Sequence, residues 1–141
     1  MMTMKRNFLF FLLLVLVAAC EQGSKVSYST HVEYSGETAL EDPFIHSVYF
    51  WFKEGTTPEQ KESFMADTEA FIEIESVKAL YAGTPAPSAD RPVVDKSYDF
   101  SVILHFEDLA GHDAYQEDPM HLEMIEKHSD IWERVLVMDS K

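Results

Sequence analysis

The segment from Tyr115 to His121 carries the side chains best suited to chemistry on a small molecule. Asp118 followed by Pro119 is typical of a helix start, with the aspartate as N-cap and the proline at the first helical position. His121 then falls three residues after the cap, where the helix dipole disfavours the imidazolium and the carboxylate of Asp118 favours it. Where the dipole and burial dominate, His121 is neutral at pH 7 and can accept a proton.

Tyr115 and His121 together indicate proton abstraction next to a carbonyl group. The phenol of Tyr115 can donate a hydrogen bond to the carbonyl oxygen while the imidazole takes the proton. A base and an oxyanion donor in an apolar pocket suffice for an aldol-type or isomerisation reaction. We therefore expect acid/base chemistry that needs no cofactor. The competing interpretation makes His121 a structural histidine and Tyr115 a half-buried core residue.

Other catalytic chemistries have weaker support in the sequence. His121 and His128 lie seven residues apart on one face of a predicted helix, but no His-Glu-x-x-His or facial-triad spacing is present. We therefore predict no metal, and we interpret His31, His105 and His112 as tether or surface residues. The sequence contains no Gly-x-Ser-x-Gly elbow, and its 5 glycines form no phosphate-binding loop.

The segment from 44 to 52 is rich in aromatic and β-branched residues and predicts a strand. Alternation assigns its side chains to two largely apolar faces, so the strand is expected to be covered on both sides. One face holds Phe44, His46, Val48, Phe50 and Phe52, and the other holds Ile45, Ser47, Tyr49 and Trp51. His46 taken alone is typical of a satisfied core histidine.

The elements that follow predict a small α+β domain. Thr57 before Pro58, with Gln60 three residues after the threonine, predicts a capped helix start. The apolar stripe of that helix consists of Phe64, Met65, Thr68, Phe71 and Ile72. Further strands are predicted over 77–82, 98–106 and 132–138, and further helices over 109–117 and 118–130.

Four strands with a helix after the first and third predict a ferredoxin-like split βαβ arrangement over residues 44–141. Helices can cover only one face of such a sheet. The uncovered face still carries large apolar side chains, and a second copy of the sheet is the simplest cover for it. We therefore expect a homodimer.

Composition excludes several classes of protein. The net charge is −14, which opposes binding to nucleic acid because phosphate backbones require clustered Lys and Arg. A hydrophobic content of 46% is too high for a disordered chain. The single cysteine excludes an internal disulfide, a Cys-rich zinc site and an iron–sulfur cluster.

The N-terminal segment is interpreted as a lipoprotein signal over residues 1–19. Lys5 and Arg6 precede an apolar run of 12 residues that ends at Ala19, too short for the roughly 20 residues of a membrane-spanning helix. The small residues before Cys20 are typical of a bacterial lipobox, so we expect lipidation of Cys20 and anchoring to a membrane of the cell envelope. An ordinary signal peptide, or a short anchor that happens to contain a cysteine, is the alternative.

Residues 20–43 are interpreted as a tether between the lipid and the domain. The segment is polar and shows no sustained apolar period. Four apolar or aromatic residues in it do occupy alternate positions, which leaves a short edge strand as the alternative. These residues are Val26, Tyr28, Val32 and Tyr34.

The run Tyr115-Gln116-Glu117-Asp118-Pro119-Met120-His121 resembles the Tyr-x-x-His-Pro-x-His signature of the stress-responsive α/β-barrel (Dabb) family. Further similarities occur in the same order along residues 44–139. They are His46 at the first strand, the Thr57 helix start, Gly83 after the second strand, Tyr98-Asp99-Phe100 at the third strand, and Trp132 before the last.

The resemblance implies a ferredoxin-like domain whose sheets pair into a dimeric α/β barrel. In plant polyketide cyclases of that family the tyrosine and second histidine of the signature act on the substrate, which implies catalytic roles for Tyr115 and His121. It also implies that His46 lies in the same pocket. The implied apolar wall that binds a small molecule consists of Val48, Phe50, Phe64, Met65, Val102, Trp132, Val135 and Val137.

Asp118 departs from the family signature, which has its first histidine at this position. The position is that of a helix cap, so the departure does not remove the implied catalytic pair. Two functional interpretations stand. The protein is either an anchored barrel that binds and transforms a small apolar molecule, or a non-catalytic envelope lipoprotein that uses the barrel for binding or dimerisation. Cofactor-independent monooxygenation is a related possibility by analogy of fold alone.

Overall fold

The computed structural model of the chain describes residues 31–34 and 40–141. The predicted signal 1–19, the lipidation site Cys20 and most of the predicted tether lie outside the described residues. None of the helices in the described part combines the length and the apolar character that a membrane span needs.

Within residues 31–34 and 40–141, five strands form one antiparallel sheet in the order β1-β3-β4-β2-β5. The strands are β1 (His31–Tyr34), β2 (Phe44–Phe52), β3 (Val77–Gly83), β4 (Phe100–Phe106) and β5 (Trp132–Ser140). The helices are α1 (Pro58–Glu69), α2 (Leu109–Gln116) and α3 (Pro119–His128). Strands β2 to β5 with these helices confirm the predicted ferredoxin-like α+β fold.

Strand β1 lies within the segment that the sequence interpretation assigned to the tether. It pairs with β3 from His31 opposite Ala82 to Tyr34 opposite Ala79, at the edge of the sheet. The structure therefore has an edge strand, the alternative to a tether, at two of the four alternating residues, Val32 and Tyr34. The other two, Val26 and Tyr28, lie outside the described residues.

The other elements lie close to their predicted positions, with differences at the ends. The predicted helix 118–130 ends at His128 and continues as a 3₁₀ turn, Ser129–Ile131. Likewise α1 passes into a 3₁₀ turn, Ala70–Glu73, before the chain extends. Strand β5 runs to Ser140 because its last residue still pairs with Ile45 of β2.

Two helix starts form as the sequence predicts. At α1 the hydroxyl of Thr57 accepts a hydrogen bond from the Gln60 backbone N–H at 3.3 Å, and the Gln60 side chain accepts one from the Thr57 N–H at 2.9 Å. At α3 the carboxylate of Asp118 accepts a hydrogen bond from the Met120 N–H at 2.8 Å. Asp118 is thus a cap, as its position before Pro119 indicates.

The core lies between the helices and one face of the sheet. The Phe64 ring of α1 is fully buried and packs edge-on against Phe50, Phe52 and Phe100 at ring distances of 4.8, 5.4 and 5.8 Å. These rings belong to the face that also carries His46 and Val48. All described helices pack on this face. The opposite face of the sheet, which carries Tyr49 and Trp51, has no described helix over it and is half-buried.

Replacing Phe64 by alanine tests this packing. We expect F64A to lower the free energy of unfolding by about 3–5 kcal/mol, because the cavity left among three rings cannot collapse fully. Val93 is 86% exposed, and V93A should stay within about 0.5 kcal/mol of wild type. Urea titration followed by circular dichroism measures the free energy of unfolding of both variants. A loss below about 1 kcal/mol for F64A would contradict the central position of this ring.

Candidate functional site

A cavity of ≈ 200 Å³ lies between the helices and the helix-covered face of the sheet, beside the edge strand β5. A dry protein cavity of about 150 Å³ accommodates benzene, so this one has room for a somewhat larger ring compound. Its lining residues are His46, Val48, Phe50, Thr68, Phe71, Val102, Tyr115, Gln116, His121, Met124, Ile125, Trp132, Val135 and Val137. The polar members gather around α2 and the start of α3, and the remaining wall is mainly apolar.

His121 is held at the cavity by the cap of α3. Asp118 and Pro119 begin the helix, and the turn brings the imidazole Nδ1 to 3.2 Å from the backbone carbonyl of Gln116. A carbonyl can only accept, so Nδ1 carries the proton and Nε2 has a free lone pair. Burial lowers the pKa of His121 below its ordinary value of 6.5, against the opposing effects of the Gln116 carbonyl and Asp118. His121 is therefore neutral at pH 7.

Tyr115 lies directly beside this imidazole. The ring centroids of Tyr115 and His121 are 4.3 Å apart, and Tyr115 is only 2% exposed. Phe71 packs edge-on against the phenol ring, with ring centroids 5.5 Å apart, and Phe106 packs against it in a tilted arrangement at 5.3 Å. Burial raises the pKa of Tyr115, so the hydroxyl keeps its proton and acts as a hydrogen-bond donor.

His46 lies at the same end of the cavity, 6.0 Å from the Tyr115 ring. Its Nδ1 donates a hydrogen bond to the carboxylate of Asp139 at 2.6 Å, across the β2–β5 pairing in which the two residues are opposite each other. Burial lowers the pKa of His46, while the bond to Asp139 opposes that shift. The three residues that the sequence proposed for catalysis thus lie together.

Six of the eight predicted wall residues line the cavity, and two do not. Phe64 and Met65 are buried in the core instead. The Phe64 ring fills the space between Phe50, Phe100 and Trp132, so it lies behind the cavity wall and not on its surface. The residues that line the cavity are Val48, Phe50, Val102, Trp132, Val135 and Val137. The sequence analysis missed five lining residues. Gln116, Met124 and Ile125 lie about one helical turn or less from Tyr115 or His121, and Thr68 and Phe71 belong to the stripe that was assigned to α1.

Trp132 adds a polar feature to the apolar wall. Its indole nitrogen is buried and has no hydrogen-bond partner within the described residues. A buried N–H without a partner costs about 1–3 kcal/mol, so a ligand acceptor that reached it would recover part of that cost.

The interpretation of His112 as a surface residue is wrong. Its side chain is only 12% exposed and lies against Phe44 and His46, with ring centroids 4.9 Å away in both cases. The reason is that α2 packs on the start of β2, and residue 112 lies one turn before Tyr115 on the same helix face. His105 is half-buried on the opposite face of the sheet, where burial lowers its pKa.

His128 does not share a site with His121. Its Nε2 lies 2.6 Å from the carboxylate of Asp67 on α1, and Lys127 binds the same carboxylate at 2.7 Å. These contacts join α3 to α1. The structure instead brings together another set of potential metal ligands, His46, His112 and Asp139, whose ligand atoms lie within 4.8 Å of one another. The sequence did not reveal this set because its members come from β2, α2 and β5.

Comparison with known proteins assigns the family. A model of the family described as the Stress responsive A/B Barrel Domain (Dabb) matches residues 44–141. The chain belongs to this family. The match spans β2 to β5, all three helices and the whole candidate site of this Dabb protein.

Similar solved structures agree with the fold. A dimeric ferredoxin-like protein of unknown function from Thermobifida fusca is 21% identical, with 72% of this chain and 93% of that chain covered and a TM-score of 0.58. A Dabb family protein from Mesorhizobium loti is 21% identical, with 72% and 97% covered and a TM-score of 0.57. Hydroxynitrile lyase from Passiflora edulis is 18% identical, with 70% and 92% covered and a TM-score of 0.61. No curated protein matches this chain by sequence.

Proposed function

We propose that this Dabb protein binds a small apolar carbonyl compound in the cavity and moves a proton next to the carbonyl group, as in aldol or cyclisation chemistry. The observation that carries the proposal is the bond from His121 Nδ1 to the Gln116 carbonyl at 3.2 Å. That bond leaves Nε2 free as a base beside a buried phenol, at the polar end of an otherwise apolar cavity.

The reaction follows from the two protonation states. Nε2 of His121 takes a proton from the carbon next to the carbonyl, and the electron pair moves onto the carbonyl oxygen. The Tyr115 hydroxyl donates a hydrogen bond to that developing enolate oxygen. The enolate carbon then either regains the proton from the His121 imidazolium, or attacks a second carbonyl carbon, whose oxygen takes that proton as its C=O π bond breaks. Every step uses groups of this chain and the substrate, without a redox change.

The cavity supports an apolar substrate of limited size. Val48, Phe50 and Val102 lie close behind the site, whereas Val135 and Val137 lie at its edge on β5. A carbonyl group entering from the β5 side would meet Tyr115 and His121 with its apolar part against the valines. Hydroxynitrile lyase, one of the proteins with a similar fold, indicates that this fold can carry lyase chemistry.

Exchange of the α-hydrogens of phenylacetone in D₂O, followed by NMR, tests the base without knowledge of the natural substrate. We expect the wild-type protein to accelerate exchange, and His121→Ala and Tyr115→Phe each to reduce the acceleration about 100-fold or more. The acceleration should also fall as the pH drops below 6.5 through the lowered pKa of His121, since protonation there removes the base.

His105→Ala is the matched control, because it removes a half-buried histidine on the opposite face of the sheet. It should leave exchange unchanged. Binding of phenylacetone without any acceleration would support the non-catalytic binding module instead. Equal acceleration in wild type and H121A would remove His121 from the role of base.

We also propose that the protein is a homodimer joined through the sheet face that no described helix covers. This face presents Tyr49, Trp51, Leu136 and Met138, and Met138 is 54% exposed. Several similar solved structures are described as dimeric ferredoxin-like proteins. Burial of this face against a second copy would remove a large apolar patch from water.

Native mass spectrometry of a charge-matched pair of variants tests the dimer. We expect Met138→Glu to give a monomer, because it places a carboxylate within the proposed interface. Leu122→Glu adds the same charge at a residue that is 52% exposed on α3, and it should remain dimeric. A monomeric wild type, or a dimeric M138E, would contradict this interface.

Finally, we propose that Cys20 is lipidated and anchors the domain to a membrane of the cell envelope. The support is the sequence around Cys20, where a positive pair and a short apolar run precede the only cysteine. Bacterial expression of the full chain with labelled palmitate should label wild type, and Cys20→Ser should remove the label and release the protein from the membrane fraction. Label retained in C20S would place the lipid elsewhere.

A further inference from the structure

Two histidines and one carboxylate meet at the β5 edge of the cavity. His46 comes from β2, His112 from α2 and Asp139 from β5, and one ligand atom of each lies within 4.8 Å of the other two. The His46 and His112 ring centroids are 4.9 Å apart, and His46 Nδ1 lies 2.6 Å from Asp139. We call these three residues the edge cluster.

The donor set of the edge cluster suits a borderline divalent transition metal. Imidazole nitrogens and one carboxylate are ligands of Zn²⁺ and related ions, whereas Mg²⁺ and Ca²⁺ prefer oxygen ligands alone. Three protein ligands form an open site, in which the remaining coordination positions are left for water or another molecule. The set therefore differs from the four-ligand closed sites that only support a fold.

The surroundings of the edge cluster differ from one ligand to the next. The imidazoles are enclosed, with side-chain exposures of 7% for His46 and 12% for His112, whereas Asp139 is 43% exposed. Asp139 thus gives an ion access from solvent. A further carboxylate, that of Asp113, lies 3.3 Å from His112 Nδ1 and adds negative charge next to the cluster.

We infer that the edge cluster binds one Zn²⁺-class divalent ion per chain through His46, His112 and Asp139. Tetrahedral ligands around Zn²⁺ lie about 3.4 Å apart. The His46–Asp139 pair must therefore open slightly, by movement of the exposed Asp139 side chain, and His112 must approach. The two ring nitrogens of His112 now contact Gln116 Nε2 at 3.1 Å and Asp113 at 3.3 Å, so one of these contacts gives way to the ion. The ion would replace the proton that the His46–Asp139 hydrogen bond now holds.

This inference stands apart from the proposed reaction. The edge cluster shares only His46 with the proposed site, and neither Tyr115 nor His121 supplies a ligand. Metal binding is measured without any substrate, so its outcome does not depend on catalysis. His121→Ala, which should be inactive in α-hydrogen exchange, should bind Zn²⁺ as wild type does.

Calorimetric titration of the metal-free protein with Zn²⁺ tests the site. We expect one equivalent per chain to bind, and the same concentrations of Mg²⁺ to give no binding. His112→Phe keeps a ring against Phe44, and Asp139→Asn keeps the shape of the side chain. Each variant should raise the dissociation constant for Zn²⁺ at least tenfold. Thermal unfolding checks that both variants are folded and that Zn²⁺ raises the midpoint only where it binds.

His105→Phe and Asp130→Asn are the matched controls, since they make the same replacements at a histidine on the opposite sheet face and at an exposed aspartate after α3. Both should keep the wild-type affinity. The cobalt-substituted protein should show the visible absorption of a low-coordinate nitrogen–oxygen site, and H112F should lose it. No saturable Zn²⁺ binding by the folded protein, or an affinity unchanged in both H112F and D139N, would overturn the inference.

Discussion

The three helices of the described residues cover only part of one face of a wider sheet, and this mismatch creates the site. On β2, the helix-covered residues Val48 and Phe50 are 8% and 5% exposed. Their partners on β5, Val137 and Val135, lie on the same face, yet they are 48% and 40% exposed because the helices do not reach that edge. The space between the helix ends and β5 is the cavity. Its wall is apolar because it consists of residues of the core face that no described helix packs against.

The polar end of the cavity depends on the corner between α2 and α3. Asp118 caps α3 while Tyr115 and Gln116 end α2, so the chain turns within two residues and brings the last carbonyl of α2 to His121. The turn between α2 and α3 thus sets the tautomer of His121 and places the phenol of Tyr115 beside it. The acid/base chemistry proposed for this corner and the metal binding proposed for the edge cluster would use neighbouring parts of the same opening, with His46 between them.

Residue patterns predicted most of the fold because the relevant signals are local. The alternation over Phe44 to Phe52, the Thr57 capping box and the Asp118-Pro119 start each need only neighbouring residues, and each formed as expected. The predictions were less accurate where an apolar residue had two possible surroundings. Phe64 has the same character as a wall residue, but its ring lies behind the cavity wall, where it is fully buried.

The sequence by itself determined the fold class, the two helix caps and the proximity of Tyr115 to His121, because hydrogen bonds and turns within a few residues decide them. Only the tertiary structure decided which side of the sheet is left uncovered and which of its apolar residues border the cavity. It also decided that His112 meets His46 and Asp139, since these residues come from three elements separated by long stretches of chain. Such contacts arise when the packed sheet and helices fix the elements in space, and no pattern within one element contains that information.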